Sequence, residues 1–264
     1  MGSATRGAVT SARNVLAGLP SVDLASAQGL FGAAATIAGS MQLRSLLTDS
    51  GRSVEEKSRM VTSLFGSRLS ESALHLVIAA VSARWSSQDD LVAGIEQLAL
   101  RAAAASAPAD VDVAGELFAF GSVIQSDSEL EFALGSRAGA KEAKVALVER
   151  LLRGRASDQT ILIVEHFVRT PGSRNIGESI DYARSVAADQ SGFAVATVQS
   201  AHELTAAQVE RLERALSGKY DRAVRVNQVI NPDVIGGFRI QVDNDVIDGS
   251  VASRINDLRL QLAS

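Results

Sequence analysis

The chain contains no cysteine, which excludes a disulfide framework, a thiolate zinc site and a cysteine nucleophile. Aromatic residues make up only 4% of its 264 residues and the formal net charge is −4, so the composition disfavours a broad nucleic-acid-binding face. No apolar run approaches the roughly 20 residues of a membrane-spanning helix, and the N-terminus lacks the apolar core of a signal peptide. These absences predict a cytosolic protein that associates with a membrane only through a partner.

Proline is also scarce, with 4 residues, and alanine and leucine fill long segments, which favours helices. The chain repeats itself at an offset of 87 residues: of the 53 positions from 30 to 82, 13 are identical in the segment from 117 to 169, without a gap. The identities are mostly apolar and keep helical spacing. Two stretches of similar composition could align by chance, but the ungapped core pattern favours a duplicated helical unit.

Breaks rich in glycine and serine separate the predicted helices. Ser70 and Ser157 occupy equivalent N-cap positions in the two copies, each before a new apolar run. An amphipathic helix opens the chain, with Val9, Ala12 and Leu16 on one side.

The hydrophobic period changes near residue 192, where alternating segments typical of strands begin. A helix between the first two strands is predicted to end at Gly218. The predicted fold class is therefore mainly α: an N-terminal helical bundle with an internally duplicated helical unit, followed by a small α/β C-terminal domain. The predicted domains are a first helical unit over 1–106, a second helical unit over 107–190 and the α/β domain over 193–264.

The candidate sites for chemistry fail on spacing. The acidic turn that begins at Asp243 is not an EF-hand loop, because Ile247 and Arg254 stand where ligands are needed. Gly236 and Gly237 precede a strand, whereas a phosphate-binding glycine loop opens a helix. The three histidines are distant from one another in sequence, and no serine lies in a G-x-S-x-G elbow. We therefore expect no catalytic residue, no cofactor and no bound metal.

The closing segment Asn231–Leu262 resembles the C-terminal segment of the ATP synthase delta subunit family, whose mitochondrial relative is the oligomycin-sensitivity-conferring protein. The matching residues are Asp233, Ile235, Gly236, Gly237, Val242, Asp248, Gly249, Ser250, Arg254 and Leu258. Ala194–Gln208 is similar to the family's strand-to-helix junction, Lys141–Leu152 to a helix of its bundle and, more loosely, Ala12–Leu19 to its first helix. Ordinary members carry one helical bundle, so this chain differs by an extra helical unit.

The resemblance implies a non-catalytic stator subunit of the F-type ATP synthase. Such a subunit links the catalytic head to the peripheral stalk, so that proton-driven rotation is coupled to ATP synthesis. The implied partners are the N-terminal segments of the α subunits and the C-terminal end of the b subunit. The implied location is the cytoplasmic face of the cell membrane, as a peripheral component of the complex.

The expected site residues are structural or interfacial. The geometry of the C-terminal domain is expected to depend on Gly236, Gly237, Asp248, Gly249 and Ser250. An apolar stripe on the last helix either packs inward, which is the preferred interpretation, or receives the b-subunit helix. Its residues are Val251, Ile255, Leu258 and Leu262. The first helix, through Val9, Ala12 and Leu16, is expected to form a wall of the groove for the α subunits.

Two other interpretations compete with this one. A generic helical-repeat scaffold with another helical client explains the duplication but leaves the D-G-S signature as a coincidence. A small-molecule enzyme with a site between the helical units would need a nucleophile–base pair or metal ligands, and the sequence shows neither constellation.

Overall fold

A computed structural model describes residues 2–248, apart from 137–138, 173, 193, 221–222, 233, 235 and 243–244. The chain divides into two compact units, and the second unit begins at Ala188. The described residues form helices throughout the first unit and a four-stranded sheet with one further helix in the second. The predicted fold class, mainly α with a small α/β C-terminal domain, is confirmed.

The helices of the first unit repeat at the offset seen in the sequence. They are α1 (Ser3–Ala17), α2 (Leu24–Ala38), α3 (Met41–Thr48), α4 (Val54–Phe65), α5 (Glu71–Ser82), α6 (Gln88–Ala105), α7 (Val113–Ser126), α8 (Ser128–Gly135), α9 (Lys141–Leu152), α10 (Asp158–Arg169) and α11 (Ile176–Gln190). Shifted by 87 residues, the bounds of α3, α4 and α5 coincide residue for residue with those of α8, α9 and α10. We call α2–α5 the first copy and α7–α10 the second copy.

Helix α6 lies between the two copies. It lies 87 residues after α1 and 87 residues before α11, so it follows the first copy and precedes the second. It packs on α1, on α2, α3 and α5 of the first copy, and on α10 of the second copy. From Leu91 to Ala103, α6 has no exposed residue. A helix that is covered all round is a central helix of its unit.

Side-chain caps explain why the helices begin where they do. Ser70 accepts a hydrogen bond from the backbone N–H of Ala73, and Ser157 accepts one from Thr160, so both predicted N-caps are confirmed. Ser53 forms a complete capping box with Glu56 at the start of α4. Such caps satisfy donors that have no partner inside the helix.

Trp85 packs on α6 at a position that only glycine permits. A Cβ atom added to Gly94 would lie 2.0 Å from Cη2 of Trp85, so the indole rests directly on the helix backbone. The indole Nε1 donates to the carbonyl oxygen of Ala80 at 2.7 Å. Trp85 therefore fixes the end of α5 against α6 as a packing residue.

The second unit contains β1 (Ala194–Ser200), α12 (Ala206–Tyr220), β2 (Val224–Ile230), β3 (Phe238–Val242) and β4 (Asp245–Asp248). The strand order is β2-β1-β3-β4, with β1 parallel to β2 and antiparallel to β3. Its core contains Ala196, Val198, Leu216, Val224, Ile240 and Val242. Alternate residues of each strand thus face α12 and its neighbours, as the two-residue period of a strand requires.

One predicted boundary in this unit is wrong. The helix expected to end at Gly218 continues to Tyr220. Glycine lowers helix stability by about 1 kcal/mol relative to alanine, but tertiary packing readily outweighs that effect. Here Tyr220 packs against the core of the unit, and Ser217 Oγ accepts a hydrogen bond from the N–H of Val224 at 2.9 Å. The packing of Tyr220 requires the helix to run past the glycine.

Candidate partner-binding surfaces

Helix α1 presents a buried stripe of small residues and a polar outer face. The stripe consists of Thr5, Ala8, Ala12 and Leu16 and faces the interior that α1 forms with α5 and α6. Val9 lies half-buried at the edge of the stripe. Of the three residues expected to wall a groove, Ala12 and Leu16 are therefore interior, and Val9 is accessible at the margin.

The corresponding face of α6 is covered. Ser11 and Asn14 are exposed on α1, whereas their counterparts 87 residues later, Leu98 and Arg101, are buried. The counterpart of Val9 is Glu96, whose side chain turns toward α10. The two equivalent helices thus differ in solvent exposure: the outer face of α1 is exposed, and the equivalent positions of α6 are buried.

A buried polar and aromatic contact joins the two copies. The His166 ring on α10 stacks on Phe31 of α2, with 4.2 Å between the ring centroids. His166 Nε2 lies 3.3 Å from Glu96 Oε1 on α6, and only 5% of the His166 side chain is exposed. We call these three residues the joint cluster. It packs the second copy on two helices of the first part of the chain.

The sequence patterns do not reveal the joint cluster, because its residues lie on three different helices, far apart along the chain. One signal was available in the repeat. Phe31 has an identical counterpart, Phe118, whereas the counterpart of His166 is Ala79. A polar residue that replaces alanine on an otherwise apolar repeat position indicates a contact that only one copy makes.

A second polar network lies within the second copy and joins α7 to the start of α10. One carboxylate oxygen of Glu116, on α7, accepts from the backbone N–H of Ser157 at 2.9 Å, from Ser157 Oγ at 2.6 Å and from Thr160 Oγ1 at 2.6 Å. The counterpart of Glu116 in the first copy is Gly29, where an added Cβ would lie 2.8 Å from Leu69 Cδ2. In the first copy Ser70 Oγ is instead hydrogen-bonded to Ser26 Oγ at 2.7 Å, so the equivalent helix starts have different partners in the two copies.

The paired glycines before β3 have left-handed backbones. Gly236 has φ +68° and Gly237 has φ +80°, a region that glycine enters without the steric penalty of a Cβ atom. Asp248, the last residue of β4, pairs with Arg239 in the β3–β4 ladder. Gly249, Ser250 and the stripe Val251, Ile255, Leu258 and Leu262 lie outside the described residues.

The ionisable groups with shifted pKa values are structural. Burial is the main cause that raises the pKa of Tyr182, whose ring the Arg174 guanidinium covers at 4.5 Å. The hydrogen bond from Tyr220 to Asp245 raises the pKa of the tyrosine and lowers the pKa of the aspartate. No metal-binding cluster of acidic or histidine side chains occurs among the described residues.

Comparison with known proteins identifies the family. A sequence model of the ATP synthase delta (OSCP) subunit family matches residues 97–262. The ATP synthase subunit delta of Leifsonia xyli is 46% identical over 264 residues, which cover 100% of both chains. The subunits delta of Streptomyces coelicolor and Streptomyces avermitilis are 38% and 37% identical and are each covered to at least 98%.

The chain belongs to the ATP synthase delta (OSCP) subunit family. It is a non-catalytic stator component of the F-type ATP synthase, as the resemblance in the closing segment implied. None of the helices in the described part of the chain combines the length and the apolar character needed to cross a membrane.

The delta-family match covers the second copy and the C-terminal segment. It begins at residue 97, inside α6, and continues through the second copy to the C-terminal segment. In terms of the delta family, α6 therefore opens the matched region, and the first copy precedes it. The relative from Leifsonia xyli aligns over its full length, so the additional copy is not peculiar to this chain.

Proposed function

We propose that this subunit ties the N-terminal segments of the α subunits to the C-terminal end of the b subunit, at the cytoplasmic face of the membrane. The observation that carries the proposal is the delta-family match over residues 97–262, together with relatives named ATP synthase subunit delta along the whole chain. A helical unit with a continuous interior suits such a task, because a tether transmits force through packing rather than through reactive groups.

The α-subunit contact is assigned to α1 rather than to α6. Both helices hold the same place relative to a copy, but Leu98 and Arg101 of α6 are buried where Ser11 and Asn14 of α1 are exposed. A helix that docks on the outer face of α1 would meet Val9 at the margin, whereas Ala12 and Leu16 lie on the buried side of the helix.

The b-subunit contact is assigned to the C-terminal end of the chain. Its last apolar stripe, Val251, Ile255, Leu258 and Leu262, either completes the interior of the second unit or receives the b helix. In both cases the paired glycines before β3 support the domain that presents the contact. The resemblance of this segment to the family supports its involvement.

An affinity pull-down from the solubilised membranes of the native host tests the proposal, with the bound proteins identified by mass spectrometry. Recovery of the α, β and b subunits together is the expected result. A bait truncated after Gln190 should lose recovery of the b subunit while it still recovers the α subunits. If the ATP synthase is intact in these membranes and none of its subunits is recovered with the bait, the proposal is wrong. A scaffold for another helical client then becomes the better interpretation.

A matched pair of variants tests the role of α1. Val9→Glu places on α1 the residue type that α6 carries at the equivalent position, and Thr62→Glu places the same charge on an exposed position of α4, where the second copy carries Glu149. We expect Val9→Glu to reduce recovery of the α subunits while b-subunit recovery persists, and Thr62→Glu to leave both unchanged. Equal recovery of the α subunits with both variants would contradict the assignment to α1.

A further inference from the structure

The joint cluster places a buried histidine against a carboxylate at the boundary between the two copies. Only 5% of the His166 side chain on α10 is exposed, and its Nε2 lies 3.3 Å from Glu96 Oε1 on α6. Histidine is the side chain whose charge ordinarily changes near neutral pH. The contact that packs the second copy on α6 therefore contains a group that gains a positive charge as its surroundings acidify.

In the described part of the chain, Glu96 is the carboxylate within hydrogen-bonding distance of the His166 ring. Helix α2, which stacks on the ring, carries no ionisable residue. Helix α7 carries one, Glu116, whose carboxylate is engaged by Ser157 at the start of α10. Neither helix therefore adds an unpaired charge beside the ring.

The charged side chains of α9 and of α10 itself have partners of their own or are exposed. Lys144 donates to a backbone carbonyl at the end of α8. Two i,i+4 ion pairs join Glu149 to Arg153 and Glu165 to Arg169. The remaining charged residues of the two helices are exposed to solvent, and they are Lys141, Glu142, Arg150 and Asp158.

Helix α6 carries charges of both signs. The two aspartates of its first turn are engaged by side chains of α3 and α1. The buried Arg101 opposes a second positive charge, but it lies more than one helical turn beyond Glu96. Tyr182 on α11, which the charge of Glu96 also reaches, keeps its proton near neutral pH because burial raises its pKa. The charge in direct contact with the imidazole is therefore that of Glu96.

The first copy has no ionisable pair at the equivalent positions. At the offset of the repeat, the counterparts of Glu96 and His166 are Val9 and Ala79. Helices α1 and α5 nevertheless pack on each other, as α6 and α10 do. Helix packing alone thus does not require a carboxylate and an imidazole here, so the pair is specific to the boundary between the copies.

Protonation strengthens two contacts of the His166 ring. A neutral imidazole has one N–H, on either nitrogen, whereas the imidazolium has both and always offers a proton to Glu96. A hydrogen bond between two charged groups is also stronger than one with a neutral partner. The ring stacks on Phe31 with 25° between the planes, and the face of an aromatic ring attracts a cation. These gains oppose the cost of burying the charge.

We propose that His166 and Glu96 form a pH-sensitive switch that packs the second copy more firmly on α6 as the pH falls below neutrality. The switch belongs to the chain itself and does not depend on the α- and b-subunit contacts inferred above. Acidification stiffens the joint between the copies, and a return to alkaline pH loosens it.

Hydrogen exchange of the full chain tests the proposal by comparing the wild type with Glu96→Gln. Glutamine keeps an acceptor of the same size and loses the charge. The protection of amides in α10 is corrected for the intrinsic exchange rate at each pH. The ratio of wild-type to variant protection should rise about fivefold from about pH 8 to about pH 6, because the ion pair forms only in the wild type.

Matched variants assign the effect to the ring. In a His166→Gln background, Glu96→Gln should give a protection ratio that does not change with pH. His75→Gln removes an exposed histidine of α5 and should leave the pH dependence intact. The NMR signals of the His166 ring should change over the same pH interval as the ratio. Circular dichroism establishes that each variant is folded, and the NMR titration with Glu96→Gln decides the matter if His166→Gln does not fold.

Three results would overturn the proposal. A protection ratio that stays constant between about pH 8 and about pH 6 would show that protonation does not tighten the joint. A ratio that falls with acidification would show that burial of the charge outweighs the ion pair. A pH dependence that survives in the His166→Gln background, or that the ring signals do not follow, would assign the effect to another group.

Discussion

Removing the His166 side chain should loosen the joint between the two copies. The ring is 5% exposed, it stacks on Phe31 at 4.2 Å between centroids, and its Nε2 lies 3.3 Å from Glu96 Oε1. His166→Ala deletes both contacts and leaves a cavity between α2, α6 and α10. The backbone of α10 is unaffected, because alanine is a good helix former.

The size of the effect follows from these contacts. Truncating a buried aromatic ring to alanine costs about 3–5 kcal/mol when the site is fully apolar. The imidazole is smaller and more polar, and the Glu96 carboxylate, 28% exposed, regains water when its partner is lost. We therefore expect a loss of about 2–3 kcal/mol in the free energy of unfolding, of which the stacked pair contributes about 0.5–1.5 kcal/mol.

Urea unfolding of the full chain measures the total, and a double-mutant cycle with Phe31→Ala isolates the pair. Hydrogen exchange should show the loss of protection concentrated in α2, α6 and α10. His75→Ala is a matched control, because His75 is exposed on α5 and its removal should change stability by less than about 0.5 kcal/mol. Additive effects of His166→Ala and Phe31→Ala would refute the joint cluster.

Three further predictions concern caps, turns and buried groups. Gly236→Val should lower the free energy of unfolding by about 2 kcal/mol in thermal melts, because valine is strained at φ +68°, whereas Gly236→Asn should lose less. Asp23→Ala should lower the free energy of unfolding by about 1 kcal/mol at neutral pH, because the Ser26 N–H loses the carboxylate that caps it. Hydrogen bonds from Ser26 lower the Asp23 pKa, so the wild-type advantage should persist above the ordinary aspartate pKa and vanish as pH falls through the lowered value in acid-unfolding curves. Absorbance titration should show Tyr182 ionising above the usual tyrosine pKa, because burial raises the pKa of its phenol. The stability that the un-ionised phenol contributes should be lost as pH rises through this raised pKa, and Tyr182→Phe should remove that loss. The strain argument fails if Gly236→Val melts like the wild type, and the capping argument fails if the stability lost in Asp23→Ala does not change with pH. The burial argument fails if the pKa of Tyr182 is not raised.

The helix boundaries of both copies were predictable because their causes are local. Serine caps and glycine-rich breaks act within a few residues, and the structure places helix starts directly after Ser70 and Ser157. The repeat added strength, since a break that occurs at the same offset twice is unlikely to be an accident of composition. Strand positions in the second unit followed from the two-residue period.

The contacts that distinguish the copies were not predictable from these patterns. Glu96 and His166 are 70 residues apart, and no local signal pairs them. Likewise the three hydrogen bonds that Glu116 accepts depend on how α7 meets the start of α10. The continuation of α12 past Gly218 has the same origin, because packing of Tyr220 outweighs a local helix-ending signal.

The sharing of α6 has a mechanical consequence for a stator subunit. Two bundles joined by a flexible linker rotate against one another at little cost in free energy. Here α6 connects the first copy to the second, and it has no exposed residue from Leu91 to Ala103. Turning one copy relative to the other would require breaking packing along α6 or opening the joint cluster. The shared, buried helix therefore resists rotation of one copy against the other.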